Sequence, residues 1–288
     1  MSVLKKINGV VSSKPINLGG IEMKQPLPIE RVNQIDPFLL IQHGVGEIEP
    51  GSDHRKLGVG PHPHRGFSPV TFIFKGSIHH RDSLEHSDVV EEGGTQWMHA
   101  GKGITHSERP GEKLALQGGE SEIVQFWVNS PPLNKMDIPY YQPISKEETP
   151  IIHKNNSKIA IVAGQFEGIS GPAKTLTPQI LLRLTNKEGD HYSIKIPEDY
   201  NCLIYLLDGQ LEVNGQDVNA EQMIWFKREG KIIDIKTKKD TRALLLSGEP
   251  IDEPVVSYGP FVMNTQTEIM EAIRDSQTGK MGILIENF

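Results

Sequence analysis

Leu203-Ile-Tyr-Leu-Leu-Asp-Gly-Gln-Leu-Glu-Val-Asn-Gly215 is the stretch whose reading decides the fold class. An apolar run from Leu203 to Leu207 ends at Asp208-Gly209, and Gln210-Leu-Glu-Val213 then alternates polar and apolar up to Asn214-Gly215. Asp-Gly and Asn-Gly supply the positive φ that tight hairpin turns require. The stretch therefore reads as strand, turn, strand, turn. The texture recurs in Val70-Thr-Phe-Ile-Phe74, Glu122-Ile-Val-Gln-Phe-Trp-Val128, Ile180-Leu-Leu-Arg-Leu184 and Arg242-Ala-Leu-Leu-Leu246. These runs are short, and rich enough in aromatic and β-branched residues to be strands rather than buried helices. With 28 glycines and 20 prolines spread over 288 residues, the pattern predicts a mainly β sandwich or barrel.

The length suggests two domains. Pro131, Pro132, Pro139, Pro143 and Pro150 crowd the segment from Asn129 to Ser157. Proline removes ladder donors, so this segment is expected to run extended between two β units, taken as 1–140 and 141–288. A strand ending in Phe74-Lys75-Gly76 resembles Leu207-Asp208-Gly209, as if the halves were variants of one unit. One helix is expected near the C-terminus: Thr265 and Glu268 have capping-box spacing, Ile269, Ala272 and Ile273 share a face, and Gly279 marks a stop.

A formal charge of −7 gives no electrostatic reason to approach a phosphate backbone, so direct nucleic-acid binding is disfavoured. The most basic run, Lys231 to Arg242, is interrupted by Asp234 and Asp240 and reads as a solvated strand edge. The single cysteine, Cys202, sits beside Leu203 and Ile204 and reads as a buried strand residue. No apolar run reaches the ~18–20 residues of a membrane span, and a cytoplasmic location is expected.

Nine of the 11 histidines precede residue 107. Two spacings stand out, Pro61-His62-Pro63-His64 and Thr105-His106-Ser107-Glu108. In a strand, residues i and i+2 share a face. Two such pairs facing each other across a small barrel would converge His62, His64, His106 and Glu108 on one point, a donor set suited to a transition metal.

Pro61-His-Pro-His-Arg-Gly-Phe67 followed by Gln96-Trp-Met-His-Ala-Gly-Lys-Gly-Ile-Thr-His-Ser-Glu108 resembles the signature of the pirin family within the cupin superfamily. Gly259-Pro-Phe-Val-Met-Asn-Thr265 resembles the C-terminal region of the same family. The resemblance implies a bicupin, two antiparallel β-barrels of jelly-roll type. It also implies one mononuclear transition metal in the N-terminal barrel, held by His62, His64, His106 and Glu108. Fe(II) is the expected ion, with Mn, Ni, Cu or Zn as alternatives. Some bacterial pirins open the flavonol quercetin with dioxygen, and mammalian pirin is described as an iron-dependent transcriptional coregulator. One departure is that Ser68-Pro69 follows Gly66-Phe67 where the family commonly has Glu-Thr. This spares the expected ligands but bears on pocket polarity and strand entry.

Counting back from Gly209 as His62 and His64 count from Gly76 gives Lys195 and Pro197. Matching Glu249-Pro250 to Arg109-Pro110 gives Leu246 and Gly248 at the other two positions. None is a ligand type, so the C-terminal domain is expected to hold no metal, and His191 to be structural or exposed.

Four protein ligands leave two positions on an octahedral ion, enough for a chelating substrate and dioxygen. One reading is thus a dioxygenase acting on a small aromatic, flavonol-like enol, with Glu108 as base. Another is an iron- or redox-sensing protein acting through a regulatory protein partner, and a third is a vestigial site. Of the remaining residues, His99 is expected near the pocket mouth and His79 and His80 at a turn or barrel rim. His86 is expected in a polar loop, Trp97 in the core, and Arg65 holding its loop in place.

Overall fold

The structure, a computed structural model, describes residues 3–18 and 21–286. It is mostly strand, and the paired strands run antiparallel. Two compact units form: Met1–Gln42 with Glu147–Ile251, and His43–Lys146 with Asp252–Phe288. The linear division at 140/141 differs from these units at both chain ends, because strand partners are chosen by register rather than by sequence distance. Ile7–Ser12 pairs with Gln222–Phe226, which places the N-terminal strand in the unit built mainly from the second half. Arg65 bridges to Phe261, which places the C-terminal segment in the unit built mainly from the first half.

In the unit containing residues 147–251, one sheet has the order Ile7–Ser12, Gln222–Phe226, Asn201–Leu206, Thr241–Gly248, Gln179–Asn186, Ser157–Ala163, Ile151–Lys154. A second has the order His191–Lys195, Ile232–Lys239, Gln210–Val213, Gln216–Asn219. One apolar core joins them: Leu182, Ile204 and Leu245 from the first sheet pack with Ile194, Leu211, Val213 and Ile235 from the second. The period-two alternation of these strands, apolar in and polar out, is what makes a two-layer solution available. Of the two expected turns one is a hairpin; Asp208-Gly209, where only Gly209 has positive φ (76°), instead links strands of two different sheets. Asn214 and Gly215 both have positive φ (49° and 82°) and close a two-residue hairpin, with Val213 opposite Gln216.

Two expectations are corrected here. The basic run is an interior strand, flanked on both sides by His191–Lys195 and Gln210–Val213. Alternation sends Ile233 and Ile235 inward, while Lys236 and Lys238 meet Glu212 on the outer face at 2.7 and 2.8 Å. Part of the proline-rich segment is also sheet, since Tyr140–Ile144 pairs with Thr95–His99. It lies at the sheet's edge, where a proline can be carried without breaking a second ladder. Cys202 is buried as expected, and burial pushes its thiol up to about 12, which leaves it unreactive.

The other unit also has two layers. Tyr140–Ile144, Thr95–His99, Phe67–Lys75 and Gly119–Asn129 are successive strands of one sheet. Val59–His64, Ile104–Pro110, Ser77–Asp82 and Ser87–Glu91 form the other in that order. Met98 and Tyr141 from the first layer pack on Ile104 from the second, and Ile73 packs on Ile78 and Val90. The two sheets lie as layers rather than as one closed ring of strands, the open form of the expected barrels. The helix Gln266–Gln277 opens with the expected capping box: Thr265 accepts from the Glu268 backbone N–H at 3.2 Å, and the Glu268 carboxylate accepts from the Thr265 N–H at 2.8 Å. Ile269 and Ala272 are its buried residues. A six-residue helix, Glu112–Gln117, adds to the expectation. Among the described residues, no helix is long and apolar enough to cross a membrane.

Ile204 is fully buried in the core of the first unit. Replacing it with alanine is expected to cost about 2–5 kcal/mol, read as a lowered denaturant midpoint, without altering metal uptake.

Candidate metal centre

The site is built on one strand pair. Val59–His64 and Ile104–Pro110 run antiparallel with His106 opposite His62 and Ile104 opposite His64. Because His62 and His64 share a face, this register sets all three imidazoles together. One ring nitrogen from each of His62, His64 and His106 lies within 4.8 Å of the others, and this is the only such group of three metal-ligand side chains among the described residues. The ring centroids are 4.4 to 5.0 Å apart.

Backbone carbonyls orient two of the rings. His62 Nδ1 donates to Gly60 O at 2.8 Å and His64 Nδ1 donates to Pro260 O at 3.3 Å. A carbonyl can only accept, so both Nδ1 atoms carry the proton and both Nε2 atoms present lone pairs. Those two Nε2 atoms stand 3.1 Å apart. His106 Nε2 is buried without a hydrogen-bond partner. Lone pairs crowded in this way repel one another unless a cation lies among them, so the residues fit a metal ion. Burial, reinforced by the neighbouring His62, holds His64 and His106 well below the ordinary histidine range. Both are therefore neutral, ligand-ready imidazoles at pH 7.

The Pro260 carbonyl reaches His64 because Gly66 lets the C-terminal strand approach. Gly66 has φ of 85°, and a Cβ there would sit 2.0 Å from Val262 O. Arg65 reinforces the same contact, donating from Nε to Lys102 O at 2.7 Å and from Nη2 to Asp275 at 3.0 Å. It holds its loop in place, as expected.

Glu108 lies two residues beyond His106 on the same strand, past a register shift, and its carboxylate is not in the three-histidine group. Amide donors hold it: Gln125 Nε2 at 2.8 Å and Gln96 Nε2, with the Thr71 hydroxyl at 3.4 Å. Tyr141 donates to Gln96 Oε1 at 3.4 Å, which turns the amide so that its NH2 faces Glu108. The half-buried Trp127 stands edge-on to His64 with ring centroids 5.6 Å apart and packs on Phe67 at 4.3 Å.

Several expectations change. His80 is not at a rim: it is buried in Ser77–Asp82, stacked on Tyr141 at 3.9 Å, with Nδ1 3.4 Å from His106 Nδ1. The strand alternates, so His80 points inward while His79 points outward to Ser87. His99 is not near a mouth but fully buried, its Nδ1 3.3 Å from the Ser68 hydroxyl. Ser68 thus meets a core histidine rather than the three-histidine group. His86 is in a polar turn as expected, and its Nδ1 donates to Asp82 at 2.8 Å. Trp97 is buried, as expected. His191 is exposed and paired with Asp234 at 2.8 Å. Gln96, Gln125, Asp82, Tyr141 and Trp127 were invisible as site residues, because lone amides, carboxylates and aromatics carry no spacing signature.

Residues 20–128 match the profile of the pirin family, and residues 181–282 match that of the pirin C-terminal cupin domain. The chain belongs to the pirin family. Human pirin is 33% identical over 98% of this chain and 96% of its own, and a tomato pirin-like protein is 34% identical over 91% and 88%. The crystal structure of a quercetin 2,3-dioxygenase from Acinetobacter baumannii is 33% identical, covers 98% of this chain and 100% of its own, and superposes with a TM-score of 0.93. The pirin match and this superposition make the fold a bicupin.

Replacing His62, His64 or His106 with alanine in this pirin is expected to reduce metal content from about one ion per chain to little or none. Elemental analysis alongside far-ultraviolet circular dichroism checks this, the strand signature staying unchanged.

Proposed function

We propose that this pirin is a mononuclear Fe(II) dioxygenase that opens a flavonol-like aromatic enol. In this reading His62, His64 and His106 are ligands and Glu108 is the fourth. The observation that carries it is the convergence of three imidazoles, two with Nδ1 locked to backbone carbonyls and the third with its Nε2 buried without a partner. Support for the substrate class is the likeness to the Acinetobacter quercetin 2,3-dioxygenase over nearly the whole of both chains.

Bound there, Fe(II) would supply a Lewis acid for the substrate hydroxyl and a one-electron couple for dioxygen. The protein's own residues do the rest. Glu108 takes the proton of the substrate hydroxyl, and the Gln96 and Gln125 amides keep its carboxylate in position before and after transfer. Trp127, half-buried beside His64, gives a flat aromatic substrate a face to lie on, and Phe67 backs it. His64 and His106 are buried, so water is excluded behind the ligands.

Oxygen uptake by anaerobically Fe(II)-loaded protein on adding quercetin tests this. Uptake is expected to track the loss of quercetin absorbance, to vanish in His106→Ala, and to fall about 100-fold or more in Glu108→Gln. Stoichiometric iron with no uptake would contradict the proposal and direct the search to a protein partner.

A further inference from the structure

His62 and His64 have their tautomers set by backbone carbonyls. His106 does not. Its Nδ1 faces a side chain, His80 Nδ1, at 3.4 Å. Two imidazole nitrogens in contact share one proton between them, and which ring owns it decides what the far nitrogen of His106 presents to the other two histidines. If His106 donates, its Nε2 offers a lone pair. If His80 donates, His106 Nε2 carries the proton and is closed to a metal.

The choice is made by Asp82. Its carboxylate is fully buried. Oδ1 accepts the backbone N–H groups of Leu84 and His86 at 2.9 and 3.2 Å. Oδ2 accepts from His80 Nε2 at 2.9 Å and from His86 Nδ1 at 2.8 Å. Four N–H groups converge on its two oxygens and a carboxylate so placed only accepts, so His80 Nε2 carries a proton and His80 Nδ1 is left facing His106 as the acceptor for Nδ1–H. Tyr141, stacked on His80 at 3.9 Å and 7°, keeps the ring in the plane where both contacts hold.

We infer that Asp82 is a positioning residue that acts through His80 to fix His106 in the Nδ1–H tautomer, leaving His106 Nε2 open as a ligand. The inference rests on reading the three histidines as a metal site, yet its core, the tautomer, is a property of the metal-free chain. Asp82→Asn is the informative change. The two backbone N–H groups of the turn claim the amide oxygen, so the amide NH2 faces His80 Nε2 and donates to it. His80 then donates from Nδ1, and His106 is driven to the Nε2–H form.

The test combines long-range 1H–15N spectra of the metal-free, histidine-labelled protein with Fe(II) affinity from anaerobic chelator competition. Wild type is expected to show His106 protonated on Nδ1. Asp82→Asn is expected to move that proton to Nε2 and to weaken Fe(II) binding by about 10–100-fold. His86→Gln, which leaves the Asp82–His80 contact intact, is expected to keep the wild-type tautomer and an affinity within about twofold. A wild-type His106 protonated on Nε2 would overturn the inference even if Asp82→Asn fails to fold. So would an Asp82→Asn protein with unchanged tautomer and affinity. A wild type that binds no Fe(II) but shows Nδ1–H would sink the metal reading and leave the relay standing.

Discussion

The pairing of Val59–His64 with Ile104–Pro110 is the constraint from which the rest of the site follows. With His106 opposite His62, three rings meet. A slip of one residue would send one strand's histidines to the opposite face and dissolve the group. The register is held by more than ladder hydrogen bonds. Ile104 is buried in a cluster with Met98, Ala100 and Tyr141, so any slip would also expose Ile104 and bury a polar neighbour.

Around that pair, the unit spends its buried polar groups on orientation. Gly60 and Pro260 supply carbonyls to two ligand candidates, and Asp82 and His80 serve the third. Gln96 and Gln125 serve Glu108. Pro260 belongs to the C-terminal segment, which returns to the unit built from the first half. That return explains why residues nearly two hundred positions apart share one site: the strand Val59–His64 needs a carbonyl that no local residue provides. Arginine at 65 and glycine at 66 are the local accommodations that admit it.

Much of this was legible from period-two spacing. His62, His64 and His106 lie together because i and i+2 share a strand face, and Asn214-Gly215 turns because positive φ favours those residue types; the same spacing put Glu108 in the group, but past the register shift its carboxylate lies outside it. The capping box at Thr265 was equally local. What escaped was non-local. Nothing near Ile7 says that it pairs with Phe226, so the chain ends were assigned to the wrong halves. His80 follows a glycine turn and reads as a rim residue; only the register of Ser77–Asp82 against Ile104–Pro110, with Glu108 opposite His80, carries it to the site. Lys236 and Lys238 suggested an edge because outward-facing lysines look alike on edge and interior strands.

The central claim is that three imidazoles and one carboxylate on this strand pair hold a single metal ion. Anomalous diffraction at the iron edge from crystals of Fe(II)-loaded protein tests it most directly. The account predicts one peak per chain, bonded to Nε2 of His62, His64 and His106 and to the Glu108 carboxylate at about 2.0–2.2 Å. A peak elsewhere, or bonds through Nδ1 of any of the three histidines, would contradict it.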